Sequence, residues 1–268
     1  SSITVSAFRM TSPFAFTGNK FEFRMVGSTQ SISDPNVVLN TIVAEAFAEA
    51  CDVLEKADDF DMAVHDLIKE YATEHQRIVF NGNGYSDEWV AEAEKRGLPN
   101  LKSMVAATEA LTTDKAVKLF GDFNIMSKAE LELRAEVLYE TYSLSINIEA
   151  LTMIDMAAKD ILPAVVKYTT ELAASINEVT AAGADASVQK EMLDEISKYL
   201  KEANEALKKL KADQADAEKA DTKSTAEYYR DVIKADMEAL RAPVDTLETL
   251  VDSEYWPIPT YGDLLFEA

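Results

Sequence analysis

The strongest constraint on this chain is an apolar recurrence in its last third. Val188, Met192, Ile196, Tyr199, Ala203, Leu207 and Leu210 follow one another at spacings of 4, 4, 3, 4, 4 and 3. Positions spaced this way share one face of an α-helix. The 11-residue period predicts a nearly straight or slightly right-handed pairing. A heptad-like seam through Leu193, Ile196, Leu200, Ala203, Leu207 and Leu210 uses many of the same residues, so handedness stays open. Residues 211–223 are polar and charged and read as a solvated turn or frayed helix ends. A partner helix then carries Tyr229, Ile233, Met237, Leu240, Val244, Leu247 and Val251 on one face, with Pro243 expected to interrupt it. Two amphipathic helices joined by a short polar link predict an antiparallel helical hairpin, which carries no constellation of chemical groups.

The rest of the chain also favours helix. Of 268 residues only 8 are Gly and 7 Pro, while Ala, Leu, Glu and Lys abound. Asp34-Pro35 predicts a helix start, with Asp at the N-cap and Pro at the first helical position. Its apolar stripe runs through Val38, Ile42, Ala46, Ala50 and Val53-Leu54. A second helix is expected from about Asp61 to Arg77, with Val64, Leu67, Ile68 and Tyr71 facing inward. Ser86 caps a short helix from Asp87 to Arg96 that Gly97 ends. Ser127-Lys128-Ala129-Glu130 is a capping box opening a long helix with Leu131, Leu138, Tyr142 and Ile146. This helix becomes apolar almost all round at Ile148, Leu151, Met153, Ile154 and Met156, which predicts a buried spine. Pro163 kinks or restarts it, and Gly183 ends the stretch.

Several functional classes are disfavoured. A net charge of −22 opposes sequence-independent nucleic-acid binding and anionic membrane surfaces. No run of about 18 apolar residues is present, and the first residues lack a basic stretch followed by an apolar one. The lone Cys51 cannot form an intramolecular disulfide and fits a reducing cytoplasm; its place in an apolar helical pattern predicts a small core residue. His65 and His75 lie ten residues apart on different helix faces, without the paired ligands a metal site needs. Gly82 and Gly84 lack the third glycine and preceding strand of a nucleotide loop, and read as a tight turn. The tail from Glu254 to Phe266 is rich in aromatic residues and proline and is expected to dock on this chain or a neighbour.

The β structure is confined to the beginning. Residues 3–8 alternate weakly, and Asn19 to Met25 alternate strictly. As a strand the latter puts Lys20, Glu22 and Arg24 on one face and Phe21, Phe23 and Met25 on the other. Side chains on one strand face are about 7 Å apart, so one ligand can touch all three. A carboxylate between two cations suits a site where a divalent metal, phosphate oxygens and an anionic substrate meet. The same pattern also fits a solvated edge strand whose charges discourage aggregation.

The run from Thr11-Ser12-Pro13 to Val26-Gly27-Ser28 closely resembles the type III glutamine synthetases. Further similar stretches are Asn40 to Glu45, Arg77 to Arg96, Ile146 to Met156, and Tyr255-Trp256-Pro257 to Phe266, so the resemblance spans residues 11–266. The hairpin at 187–251 is similar only in kind. The resemblance implies that Glu22 is a metal ligand, that Arg24 contacts glutamate and the transferring phosphoryl group, and that Lys20 contacts nucleotide phosphate. Where the family usually carries an Asn-Arg pair and a further Arg, this chain has Ala7-Phe8-Arg9-Met10, which leaves one phosphate-binding arginine without a direct counterpart.

The implied fold is mainly α with a small β part. The last strands of a glutamine synthetase-like catalytic sheet are followed by a helical bundle and a long antiparallel hairpin. The expected divisions are 1–160 (C-terminal part of the catalytic domain), 161–251 (helical extension) and 252–268 (docking tail). The implied reaction ligates ammonia to glutamate through γ-glutamyl phosphate, using ATP and Mg2+ or Mn2+, in a cytoplasmic homo-oligomer of stacked rings. The family's chain is much longer, so this chain alone is expected to lack most of the active site and to be inactive. The alternative is a non-catalytic helical oligomerisation or interaction protein derived from that family.

Overall fold

The mainly α-helical character expected from composition holds for most of the described residues of the computed structural model. It describes the backbone of Phe14–Phe16 and Phe21–Phe23, residues 31–80, 83 and 86–259, and a final helix at 261–266. The chain forms two compact units, Ser1–Leu138 and Tyr139–Ala268.

In the first unit, strands β1 (Phe14–Phe16) and β2 (Phe21–Phe23) pair antiparallel, with Phe14 opposite Phe23, Ala15 opposite Glu22 and Phe16 opposite Phe21. Helix α1 covers Ser33–Leu54. Asp34 lies in its first turn and reaches Arg134, Oδ1 to Nη1 at 3.5 Å, and supplies no cap. The apolar stripe expected of α1 is mostly open. Pro35 and Thr41 are buried, whereas Ile42, Val43, Phe47 and Val53 are exposed. Cys51 is exposed too, so its reading as a core residue is corrected. Its helix buries only Pro35 and Thr41, so an apolar neighbourhood in sequence did not become one in space.

Helix α2 (Phe60–Glu74) starts where Asp59 accepts a hydrogen bond from the Met62 amide. Its Leu67 is buried, but Ile68, expected inward, is 64% exposed. The two are about 100° apart around the helix, and the covered strip is narrow. A 3-10 turn at Gln76–Ile78 leads on towards α3 (Asp87–Lys95), which Ser86 caps through the Trp89 amide and Gly97 ends at φ +72. Short helices α4 (Met104–Thr108) and α5 (Asp114–Asp122) follow, capped by Ser103 and Thr113. The buried apolar side chains of this unit include Trp89, Val105, Leu119, Phe120 and Leu131.

Helix α6 spans Lys128–Met156. The capping box closes as expected: the Ser127 amide donates to Glu130 Oε2 at 2.7 Å and the Glu130 amide to Ser127 Oγ at 3.3 Å. The buried spine is corrected in part. The covered face is Leu131, Ala135, Tyr139, Ile146 and Ala150, with Met153 and Ile154 half-buried. Ile148, Leu151 and Met156 are exposed. At about 100° per residue, Leu133, Val137, Leu144, Ile148 and Leu151 form a second apolar face nearly opposite the first. The helix is thus apolar on two sides and covered on one.

A π-helical turn at Ala157–Ile161 separates α6 from α7 (Leu162–Ala181), with Pro163 in the first turn of α7. This is the expected restart, since proline's missing N–H costs nothing there. Gly183 closes α7 at φ +79. Helix α8 (Ser187–Ala215) packs along α7 and along α10 (Lys234–Leu250). Between α8 and α10 lie α9 (Thr222–Tyr228), capped by Asp221, and a π-helical turn at Tyr229–Ile233. Pro243 is buried inside α10 and does not interrupt it. Leu240 and Leu247 anchor the segment on either side, so the helix tolerates the single hydrogen bond proline removes.

One cluster forms the core of the second unit. Ile146 and Ala150 from α6, Val165 and Leu172 from α7, Ile196, Ala203, Leu207 and Leu210 from α8, and Leu240 and Leu247 from α10 are all buried in it. Each fully buried Leu or Ile contributes about 1.5–3 kcal/mol relative to an exposed one. Val188 and Met192, used only by the 11-residue reading of α8, are exposed, whereas Leu193 and Leu200 of the heptad-like seam are half-buried against the core. Tyr255, Trp256 and Ile258 pack on the same cluster, and the Tyr255 ring lies 5.3 Å from that of Tyr168. This part of the tail docks on its own chain, while Leu264 and Leu265, in the final helix α11 (Tyr261–Phe266), are exposed.

Candidate functional site

Of the three residues expected to share one strand face, Glu22 lies in β2, across from Ala15. Lys20, Arg24 and Arg9 lie outside the described residues. The β1–β2 register makes Glu22 the central residue of its strand. A carboxylate there is chemically suited to a hard divalent cation, since such ions take oxygen ligands. Among the described residues no group of three or more His, Cys, Asp or Glu side chains gathers for a metal. His65 Nδ1 lies 3.1 Å from its neighbour Asp66 at the surface, and the His75 ring is 6.0 Å from that of Tyr71. Neither histidine belongs to a group of three such side chains among the described residues.

The stretch from Arg77 to Arg96 folds around an aromatic stack. Phe80 and Trp89 stack at 3.9 Å between ring centroids, with the Arg96 guanidinium 5.4 Å from the Trp89 ring. Arg96 also donates to the Val79 carbonyl at 2.9 Å and to Glu92 at 2.7 Å. The Glu92 carboxyl is held below its ordinary range, first by the Arg96 hydrogen bond. This arrangement fastens the segment ending at Phe80 onto α3, while Gly82 and Gly84, read from sequence as a tight turn, lie outside the described residues. Planar guanidinium stacking on a ring, with several N–H groups occupied, is a task that lysine would not perform.

Sequence reasoning missed a buried ionisable group among the described residues. Asp236, on α10, is buried, and its Oδ1 accepts a hydrogen bond from Lys209 Nζ of α8 at 2.5 Å. The same ammonium donates to Asp213 Oδ2 at 2.8 Å. Burial pushes the Asp236 carboxyl up, Lys209 pulls it down, and the neighbouring Asp213 pushes it up again. Asp213 is held down, first by Lys209. Lys209 is raised, first by Asp213 and then by Asp236. A signal was available: Ile233, Asp236 and Leu240 follow at spacings of 3 and 4, placing a carboxylate within an apolar face.

With this geometry in view, comparison with known proteins is informative. Residues 63–180 match the family described as glutamine synthetase C-terminal domain. The chain is 37% identical to a type-3 glutamine synthetase of Dictyostelium discoideum over 96% of its own length and 36% of that protein. It is 38% identical to a glutamine synthetase of Butyrivibrio fibrisolvens, again over 96% of its length and over 37% of the relative. A glutamine synthetase of Bacteroides fragilis (strain YCH46) is 32% identical over the same share of the chain. The chain therefore spans little more than a third of the length of the curated relatives it matches. No helix among the described residues is long and apolar enough to cross a membrane. Taken with the helical fold and the quoted motifs, these matches show that the chain is similar over nearly all of its length to type-3 glutamine synthetases, and that residues 63–180 match the glutamine synthetase C-terminal domain.

Proposed function

We propose that the chain works as the C-terminal region of a glutamate–ammonia ligase. In that reading residues 1–160 close the catalytic domain with the last strands of its sheet, 161–251 form a helical extension built on the antiparallel α8–α10 hairpin, and 252–268 dock. The supporting observation is similarity over 96% of the chain to proteins named glutamine synthetase. The second apolar face of α6 also supports it, since a body that leaves Ile148 65% exposed is better suited to a larger assembly.

Glu22 would contribute a carboxylate to hold a Mg2+ or Mn2+ ion, and the charge screening such an ion supplies would act on the ATP phosphates. Lys20 neutralises a nucleotide phosphate. Arg24 presents a planar fork to the glutamate carboxylate and to the phosphoryl group in transfer, where charge stabilisation lowers the barrier. Ammonia then displaces phosphate from the γ-glutamyl intermediate. Substrates are glutamate, ammonia and ATP, in a cytoplasmic homo-oligomer.

The test joins the chain to the remaining part of a type-3 relative and measures ATP-dependent glutamine formation. Arg24→Lys and Glu22→Gln should each lower the rate sharply while leaving the circular dichroism spectrum unchanged. Residues 1–268 alone should show no ligase activity. Full activity of the joined Arg24→Lys protein would overturn the assignment of Arg24. Robust activity of the chain alone would overturn the expectation that its site is incomplete. A second reading, a non-catalytic helical interaction protein, is favoured if the joined protein assembles but makes no glutamine.

A further inference from the structure

The Lys209–Asp213–Asp236 cluster lies between α8 and α10, apart from the residues to which the ligase reading gives a chemical role. Two carboxylates meet a single ammonium there. Lys209 is largely exposed, Asp213 half-buried and Asp236 buried, so the charge that can be screened by water is the lysine's and the one that cannot is Asp236's. Asp236 Oδ1 has Lys209, but Oδ2 is buried without a hydrogen-bond partner. A lone buried carboxylate oxygen is costly unless it carries a proton or receives one.

Among the described residues Asp236 is paired with one cation, Lys209. From α8 the cluster is faced by Lys209 and Asp213. From α9 the Tyr228 hydroxyl hydrogen-bonds to Asp213. Lys219, in the link between α8 and α9, is engaged elsewhere: its ammonium lies 3.9 Å from the Tyr228 ring centroid and 3.1 Å from Asp216. Arg230, on the π-helical turn, is paired with Asp231 at 2.6 Å. The π-helical turn Tyr229–Ile233 ends three residues before Asp236. Such turns are local departures from α-helical bonding and mark places where a helix can shift.

We propose that this cluster is a proton-operated latch: it holds α10 against α8 while Asp213 and Asp236 share a proton, and it releases the segment around the Tyr229–Ile233 turn when that proton is lost. With the proton, Asp236 Oδ2 has a hydrogen to donate towards Asp213, and the cluster has one negative charge for one positive. Without it, two negative charges face one ammonium and the buried oxygen is left unpaired.

The sign follows from the direction in which Asp236 titrates. Its folded value is raised, mainly by burial, so the latch contributes fully below about 3.9, the ordinary aspartate value, and is lost as pH rises through the folded value. The many exposed carboxylates with lowered values have the opposite slope, which is why the test compares Asp236→Asn with the unaltered chain. Asparagine keeps the shape, offers a permanent N–H to Asp213 and cannot ionise.

Amide hydrogen exchange of residues 229–236 in the full 268-residue chain, corrected for intrinsic rates, is measured from about pH 4 to about pH 8. Protection should fall by up to about tenfold per pH unit across the titration and then level off, because one proton is bound in the closed form and not in the open one. Asp236→Asn should stay protected throughout. Carboxyl-carbon NMR of the unaltered chain reads the same event directly and should place the Asp236 midpoint above about 3.9. In Asp213→Asn, where Lys209 serves Asp236 alone, that midpoint should fall. Identical pH profiles for Asp236→Asn and the unaltered chain, or an Asp236 midpoint at or below the ordinary value, would overturn the latch. If Asp236→Asn does not fold, the NMR midpoint decides alone.

Discussion

Ile146 and Ile148 make the sharpest test of how α6 is covered. They are two residues apart on one helix, hence about 200° apart around it. The sequence puts Ile146 on the apolar stripe of the helix and Ile148 in its expected buried spine, yet Ile146 is 8% exposed and Ile148 65%. Ile146→Ala removes three buried carbon atoms from the core that Ala150, Val165 and Leu240 share, so it should cost about 2–5 kcal/mol through lost burial and the cavity left behind. Ile148→Ala removes atoms that mostly face water, and alanine is the better helix former, so the change should stay within about 0.5 kcal/mol of neutral. Urea unfolding followed by circular dichroism measures both. The midpoint should drop clearly for Ile146→Ala and barely move for Ile148→Ala, with similar slopes. In a thermal scan each kcal/mol corresponds to roughly 2–8 °C, so the two variants should separate by about ten degrees. Equal destabilisation by both would refute the reasoning, because it would mean the second face is covered in solution. Dependence of that loss on protein concentration would then identify a second copy as the cover.

Two further substitutions test local geometry, and one tests acid stability. Gly183 sits at φ +79 with open space around its Cα, so Gly183→Ala should cost about 1–2 kcal/mol of backbone strain and no steric clash, read as a lowered urea midpoint. Ser127→Ala removes one half of the capping box, and should cost about 0.5–2 kcal/mol, detectable as faster exchange of the first amides of α6. Asp221 caps α9 and is held below its ordinary value by the Ser224 amide and hydroxyl, so its contribution is present above about pH 3.9 and lost as pH falls through the folded value. Asp221→Asn should therefore flatten the acid limb of α9's exchange protection; an unchanged limb would count against the cap.

Local structure was legible wherever one residue type has one use. Ser86 and Gly97 bound α3, Ser127 and Glu130 close the capping box, and Gly183 ends α7, because each satisfies or terminates backbone groups within a few residues of itself. The helix pairing in the last third was legible for a similar reason, since Ile196, Ala203, Leu207 and Leu210 belong to both possible seams and all are buried. The candidate strand site rests on a sequence pattern and a resemblance; of its residues the structure places only Glu22, in β2, since Lys20 and Arg24 lie outside the described residues. What was misread is coverage. Cys51, Ile68, Ile148 and Leu151 sit in apolar patterns and are exposed, and Pro243 sits inside a helix it was expected to break.

Periodicity and capping act over one or two turns, so the sequence by itself determined that this chain is helical, where most helices begin and end, and which positions share a face. It also carried the glutamine synthetase motifs, which are runs of neighbouring residues. Which of two apolar faces is buried depends on what lies several ångströms away on other elements, and no local pattern encodes that. Tertiary structure therefore decided that α6 turns Ile146 inward and Ile148 outward. It likewise buried Asp236, which raises that aspartate's affinity for its proton, and brought Lys209 to it across 27 positions of sequence, which opposes the rise. Burial made that difference, because the energy of a charge is set by the medium around it rather than by its neighbours in the chain.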